Sequence, residues 1–235
     1  LGLHRGMWAD YGTALAADYR VLSYDLYGHG DSAPVPCEAS LTLYSDQLSG
    51  LLDHIGVEKA AMVGFSIGGM INRRFAMDHG GQVLALAILN SPHDRGEEAQ
   101  VMVEERARSV REQGAFSTFD AALQRWFTPD FLASDAAAPG LVREWRGLVD
   151  AESYAQAAWV LANGVRELTG RVYDMPAFVL TCEADSGSTP AMSHAIAAEF
   201  AGAETVIVPG LQHLGLMEQP EAFTAPVMDY LKRVL

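Results

Sequence analysis

A chain of 235 residues is long enough to bury one sizeable α/β core with an insertion, and 49% hydrophobic against 20% charged residues is the balance of a globular protein rather than a disordered one. The formal net charge of −14 argues against nucleic acid or an anionic membrane surface as the main partner, since both require clustered Lys and Arg. Only Cys37 and Cys182 are present, which gives neither a disulfide framework nor a metal-ligand spacing; with no membrane-length apolar run and no signal-peptide pattern, the expectation is a cytoplasmic protein with two reduced thiols.

The chain opens on Leu1-Gly2-Leu3 rather than methionine, and a helix is predicted from about Met7 to Ala17. Tyr19 to Tyr24 alternates and is β-rich, which predicts a strand running into the glycine-bearing loop Asp25-Leu26-Tyr27-Gly28-His29-Gly30-Asp31-Ser32. Pro34 and Pro36 exclude regular structure until Leu41. Leu48, Leu51, Leu52 and Ile55 then recur at helical spacing, with Gly56 as a stop.

Ala60-Ala61-Met62-Val63 reads as a strand, Gly64-Phe65-Ser66-Ile67-Gly68-Gly69 as a sharp turn, and the following run to about His79 as a helix. A serine at the apex of such a turn is forced into a strained backbone conformation, which Gly64 and Gly68 tolerate by lacking side chains. The turn lifts the Ser66 hydroxyl clear of the sheet. It leaves the Ile67 N–H at a helix N-terminus, where it can stabilise an oxyanion. Val83 to Leu89 is an almost continuous apolar run, as a strand covered on both faces requires.

Residues 93–169 lack a strand signal, are rich in helix formers and carry the aromatics Trp126, Phe127, Trp145 and Tyr154, so they are expected to form a helical lid inserted into a core of residues 1–92 and 170–235. The strand pattern returns at Ala177 to Thr181, before Cys182-Glu183-Ala184-Asp185, and again at Thr205 to Val208, before the loop Pro209-Gly210-Leu211-Gln212-His213. Helices are predicted over about Ala191 to Phe200 and Glu221 to Arg233. The alternation describes crossover units and a largely parallel sheet, in which reacting groups collect beyond the carboxyl ends of the strands.

Ser66, Asp185 and His213 each follow a predicted strand. A serine hydroxyl needs a base to become a nucleophile; histidine titrates near neutral pH, and a carboxylate on its far nitrogen fixes the tautomer. Glu183 and Asp94 are the alternatives for the acid. The chain order serine, acid, histidine is that of α/β hydrolases.

The four segments from Asp25 to Ser32, Gly64 to Gly69, Glu183 to Asp185 and Pro209 to Leu214 make the chain resemble a lid-bearing α/β-hydrolase-fold enzyme over nearly its whole length. Gly69-Met70, Arg125-Trp126-Phe127-Thr128-Pro129-Asp130-Phe131 and Glu218-Gln219-Pro220-Glu221-Ala222-Phe223 make it most similar to 3-oxoadipate enol-lactonases and related carboxylic-ester hydrolases.

That resemblance implies strands and a His-Gly pair ahead of Leu1, so the N-terminal strands are expected to be missing. Leu1 is then placed at the second oxyanion donor position. It implies a loop-stabilising rather than catalytic Asp25, and Cys182 where relatives commonly carry glycine. The histidines other than His213, His29 among them, are expected in surface or structural roles.

Arg125 and Trp126 are candidates to face substrate, Arg125 by pairing with a carboxylate; a surface arginine beside a lid-core tryptophan is the other reading. The expected function is hydrolysis of a small-molecule carboxylic ester or lactone through an acyl-enzyme, with no metal and no organic cofactor, and with oligomeric state left open. Hydrolysis of carbon–carbon bonds in ring-cleavage products, N-terminal proline aminopeptidase activity, perhydrolase activity and a non-catalytic binding module are the alternatives.

Overall fold

Four parallel strands pair in chain order: β1 (Ala60–Phe65), β2 (Val83–Leu89), β3 (Ala177–Cys182) and β4 (Glu204–Val208). The computed structural model describes residues 1–235. Register fixes where the strands end. Phe65 lies opposite Leu89, Leu89 opposite Leu180, and Cys182 opposite Val208, so the segments that follow all four strands emerge along one edge of the sheet.

Parallel neighbours require crossovers, and helices bury the sheet on both faces. One face of the sheet presents Met62, Leu86, Ile88 and Val179 to α2 (Leu41–His54), α3 (Ile67–Asp78) and α10 (Pro190–Ala198) through Leu48, Leu52, Phe75 and Ile196. The other presents Ala85, Ala87, Leu89, Phe178 and Leu180 to Phe223, Val227 and Tyr230 of α12 (Glu221–Val234). Leu86, Leu89 and Leu180 are completely buried, each contributing ~1.5–3 kcal/mol relative to an exposed side chain. The side chain of Ser40 accepts a hydrogen bond from the Leu43 N–H and starts α2, as the proline-rich approach predicts.

Between β2 and β3 the chain forms six helices: α4 (Glu97–Gln113), α5 (Phe119–Trp126), α6 (Pro129–Ala133), α7 (Ala138–Gly147), α8 (Ala151–Asn163) and α9 (Val165–Leu168). Small residues let α4 and α8 approach closely, with Ala107 and Val110 buried against Ala155, Ala158 and Ala162. Glu97 and Glu98 in the first turn of α4 and Arg111 in its last complement the helix dipole. The short α11 (Gly215–Glu218) follows β4, and α1 (Ala9–Leu15) follows a 3₁₀ turn at Arg5–Trp8, so the helix predicted from Met7 is split in two.

One predicted strand is absent. Residues 20–24 form no backbone ladder, and Val21 and Leu22 are exposed. A groove of about 400 Å³, lined by Tyr11, Leu48, Leu52 and β1, separates this segment from the sheet. The alternating pattern records a local preference, but a strand exists only where a neighbour completes its hydrogen bonds, and none lies beside it.

Candidate active site

Ser66 sits between β1 and α3 with φ 55° and ψ −116°, a conformation side-chain-bearing residues rarely adopt. Its N–H donates to the Leu89 carbonyl at 2.8 Å, which ties the turn to the neighbouring strand. The steric basis differs in part from expectation. A Cβ on Gly64 would lie 2.5 Å from the Gly68 carbonyl oxygen, and one on Gly69 would lie 2.6 Å from the Ser91 Cβ. A Cβ on Gly68 would meet nothing, so the space is needed at Gly64 and Gly69; Gly68 contributes the backbone that Gly64 approaches. Ile67 opens α3, and its N–H has no residue one turn back in the helix to accept it.

His213 lies in the loop between β4 and α11. Its Nε2 is 3.2 Å from Ser66 Oγ and its Nδ1 is 2.7 Å from Asp185 Oδ2. The ring is packed by Phe65 at 4.9 Å and Trp126 at 6.4 Å between centroids. Asp185 is almost wholly buried, and its oxygens are fully engaged: Oδ2 also accepts from Asn90 Nδ2 at 2.9 Å, while Oδ1 accepts the N–H groups of Gly187 and Ser188 at 2.8 and 2.9 Å. Burial alone would raise its pKa, but the pairing with His213 and the bonds from Asn90 and Ser188 outweigh it and hold the carboxyl below its usual range. The other candidate acids lie elsewhere. Asp94 is exposed and accepts from the Gly96 N–H, and Glu183 accepts from the Gly210 N–H.

Asn90 and His29 are two polar contributors that residue order gave no reason to single out. Asn90 follows β2, adopts φ 44°, and donates toward both Asp185 and the Cys182 thiol. Burial pushes that thiol up to about 12, and it fits because position 215 is glycine, where a Cβ would come within 2.9 Å of Sγ. His29 is 2% exposed; its Nδ1 lies 3.0 Å from the Tyr27 carbonyl and its Nε2 3.1 Å from the Gly2 nitrogen. A carbonyl can only accept, so Nδ1 carries the proton and Nε2 accepts from Gly2. His29 thereby orients the Leu1-Gly2 backbone. Asp25 braces the same region by accepting from the Arg5 N–H at 2.6 Å and from its guanidinium, and it is not part of the cavity wall.

Ser66 and His213 open into a cavity of about 190 Å³ whose wall includes Leu1, Leu3, Arg125 and Trp126. Arg125 and Trp126 are both half-buried there, so the structure brings every predicted site residue except Ile67 into the wall, and Ile67 adjoins Ser66 in sequence. Arg95, Arg106 and Arg146 also line it. Scattered arginines in helix-forming sequence read as a solvated face, and no signal marks these as inward. His4, Asp25 and Asp31 could together surround a cation, but Arg5 already bridges Asp25 and Asp31, so its guanidinium supplies the positive charge at that cluster.

A strained serine between strand and helix, reached by a histidine and a buried aspartate from later strand ends, is the site arrangement of α/β hydrolases. The chain belongs to the alpha/beta hydrolase family, whose model matches residues 1–225. It is 29% identical to 3-oxoadipate enol-lactonase 2 of Acinetobacter baylyi, over 99% of this chain and 86% of that protein. It is 24% identical to (E)-2-((N-methylformamido)methylene)succinate hydrolase of the same organism, over 99% of this chain and 88% of that one. Among solved structures, the enol-lactonase of Burkholderia xenovorans LB400 superposes with a TM-score of 0.87 at 28% identity, covering 99% of this chain and 88% of that one.

Proposed function

We propose that the protein is a serine hydrolase of small carboxylic esters or lactones, with 3-oxoadipate enol-lactone as the first substrate to try. The observation that carries this reading is the continuous hydrogen-bonded series from Ser66 through His213 to Asp185, opening into an arginine-bearing cavity. Likeness to the two enol-lactonases supports the choice of first substrate.

In this reading His213 Nε2 takes the Ser66 proton as Oγ attacks the carbonyl, and ionised Asp185 stabilises the imidazolium through Nδ1. The Ile67 N–H, with the backbone nitrogen of Leu1, receives the charge that develops on the carbonyl oxygen; loss of one such donor typically costs ~3 kcal/mol of transition-state stabilisation. His213 then returns the proton to the leaving oxygen. A lactone's leaving oxygen remains part of the acyl group, in the acyl-enzyme and in the single product alike; water, deprotonated by the same histidine, then attacks the acyl carbon, its bond to Ser66 Oγ breaks, and Ser66 takes the proton back from His213. No step calls on a metal or an organic cofactor. The inserted helices act as the lid, with Trp126 shaping the cavity and Arg125 receiving a substrate carboxylate.

The test is labelling with an organophosphonate followed by peptide mapping. Modification at Ser66 that is lost in Ser66→Ala is the expected result, and a folded protein unmodified at Ser66 overturns the reading. Kinetics with the enol-lactone, a vinylogous diketone and a proline anilide separate ester chemistry from carbon–carbon hydrolysis and proline aminopeptidase activity. Turnover of the enol-lactone and not the other two is expected.

A further inference from the structure

The charge distribution over the arginines is uneven in a way that the hydrolytic machinery does not use. Eight of the chain's 14 arginines pair with an Asp or Glu: Arg5, Arg73, Arg74, Arg108, Arg111, Arg143, Arg166 and Arg233. Six do not, and four of those six, Arg95, Arg106, Arg125 and Arg146, line the cavity that contains Ser66. The one carboxylate in that wall is Asp185, which His213, Asn90 and two backbone N–H groups already occupy. In a chain of formal net charge −14, carboxylates are abundant, yet none pairs with these guanidinium groups; the exposed Asp94 beside Arg95 is near enough only to offset part of the effect of burial there. Holding a buried cation without a counter-ion is unfavourable, so Arg146, the one of the four that is buried, is stabilised when an anion enters.

By their contacts the four arginines fall into two loci. Arg146, on α7, is 1% exposed and lies against the Gly2 backbone, ringed by Tyr154, Phe119 and Trp126 at 4.6, 5.4 and 5.5 Å from its Cζ to the ring centroids. Its Nη1 donates to the Ala115 carbonyl at 2.9 Å, while its buried Nε has no acceptor. The second locus is centred on Arg106 of α4. Arg106 is close enough to Arg95 and Arg125 to add to the effect of burial in lowering both. Arg95 is committed to the carbonyls of Leu161 and Ala162. Arg125 has no protein acceptor, and Arg106 has one, the Met102 carbonyl on its Nε, so the second locus keeps free donors on these two side chains.

We propose that the cavity takes a dianionic substrate, a small ester or lactone carrying two carboxylates, one received by Arg146 and the other by Arg106 and Arg125. This inference rests on the hydrolase reading above and moves its substrate class beyond the enol-lactone, in which one of the two carboxyl groups is closed into the ring: an ester or lactone that keeps two free carboxylates is expected to be the better substrate. Planar guanidinium forks suit carboxylates in particular, and two anchors in the cavity that holds Ser66 would fix which carbonyl meets the nucleophile.

The experiment is calorimetric titration of the Ser66→Ala chain, which cannot turn over, with glutarate, adipate, butanoate and butyramide at low salt. At least one of the two dianions is expected to bind about tenfold or more tighter than butanoate, and butanoate tighter than the neutral amide. Adding Arg106→Gln and Arg125→Gln, both half-buried positions, should bring the dianion down to the butanoate level. Arg146→Lys should weaken all three acids while thermal melting reports the fold intact. Glutarate and adipate binding no tighter than butanoate, or binding unaffected by the Arg106 and Arg125 substitutions, overturns the inference. Organophosphonate labelling of the unsubstituted chain reads Ser66 independently. Labelling without preference for dianions defeats this inference alone, and preference for dianions without labelling defeats the hydrolase reading.

Discussion

Asn90 Nδ2 donates to the same Asp185 oxygen that faces His213 Nδ1, so Oδ2 is shared between a fixed amide at 2.9 Å and the ring at 2.7 Å. Neutralising the acid removes the reason for His213 to keep its proton on Nδ1. Asp185→Asn is expected to lower kcat by about a thousandfold or more while leaving KM within a fewfold, checked by steady-state kinetics. An unchanged kcat would show that the carboxylate does not act on the base.

The backbone of Ser66 gives stability and activity opposite signs. Glycine adopts φ 55° and ψ −116° without strain, so Ser66→Gly is expected to raise unfolding stability by about 1 kcal/mol and to abolish turnover. Urea denaturation beside an activity assay reads both quantities. Ser66→Ala keeps the strain, and so loses activity with stability nearly unchanged.

The two glycines that flank the serine should respond differently to the same substitution. Gly64→Ala forces a Cβ onto the Gly68 carbonyl and is expected to cost about 3 kcal/mol. Gly68→Ala meets open space inside a helix and should fall within about 1 kcal/mol of neutral. Equal losses in denaturant midpoint would contradict the steric account.

His29 predicts a pH dependence of stability. Burial, opposed by the Tyr27 carbonyl and Asp25 and reinforced by Arg146, lowers its pKa from 6.5 to about 4. Above 6.5 the ring is neutral in both folded and unfolded chains. Between 6.5 and about 4 the unfolded chain takes up a proton that the folded one refuses, so this group's contribution is lost as pH falls across that window, by roughly 3 kcal/mol. His29→Gln keeps an acceptor for the Gly2 N–H and removes the titration. Its unfolding free energy, measured by urea at pH 7.5 and 4.5, should fall less than that of the unsubstituted chain.

Ser66, Asp185 and His213 could be placed from the sequence because each follows a strand with an unambiguous apolar pattern, and a parallel sheet sends all such ends to one side. Placement there required no knowledge of side-chain contacts. The segment 20–24 shows the limit: its alternation matches a strand, but pairing depends on what lies beside it, which no local pattern records. Arg146 was hidden for a related reason. In Arg143-Glu144-Trp145-Arg146 a charged residue on a helix is ordinarily solvated, and only the packing of α7 onto Gly2 and Tyr154 turns that guanidinium inward.

The loop that carries His213 is fastened to the inserted helices on both sides of the ring. Leu214 N–H donates to the Trp126 carbonyl at 2.8 Å, Gln212 Nε2 to the Gln124 carbonyl at 2.9 Å, and Thr128 N–H to Glu218 at 3.1 Å. Any outward excursion of α5 must therefore break these bonds or take the base with it. Under the proposed mechanism, an excursion that kept them would draw His213 away from Ser66, so access to the cavity and the geometry of that pair would change together.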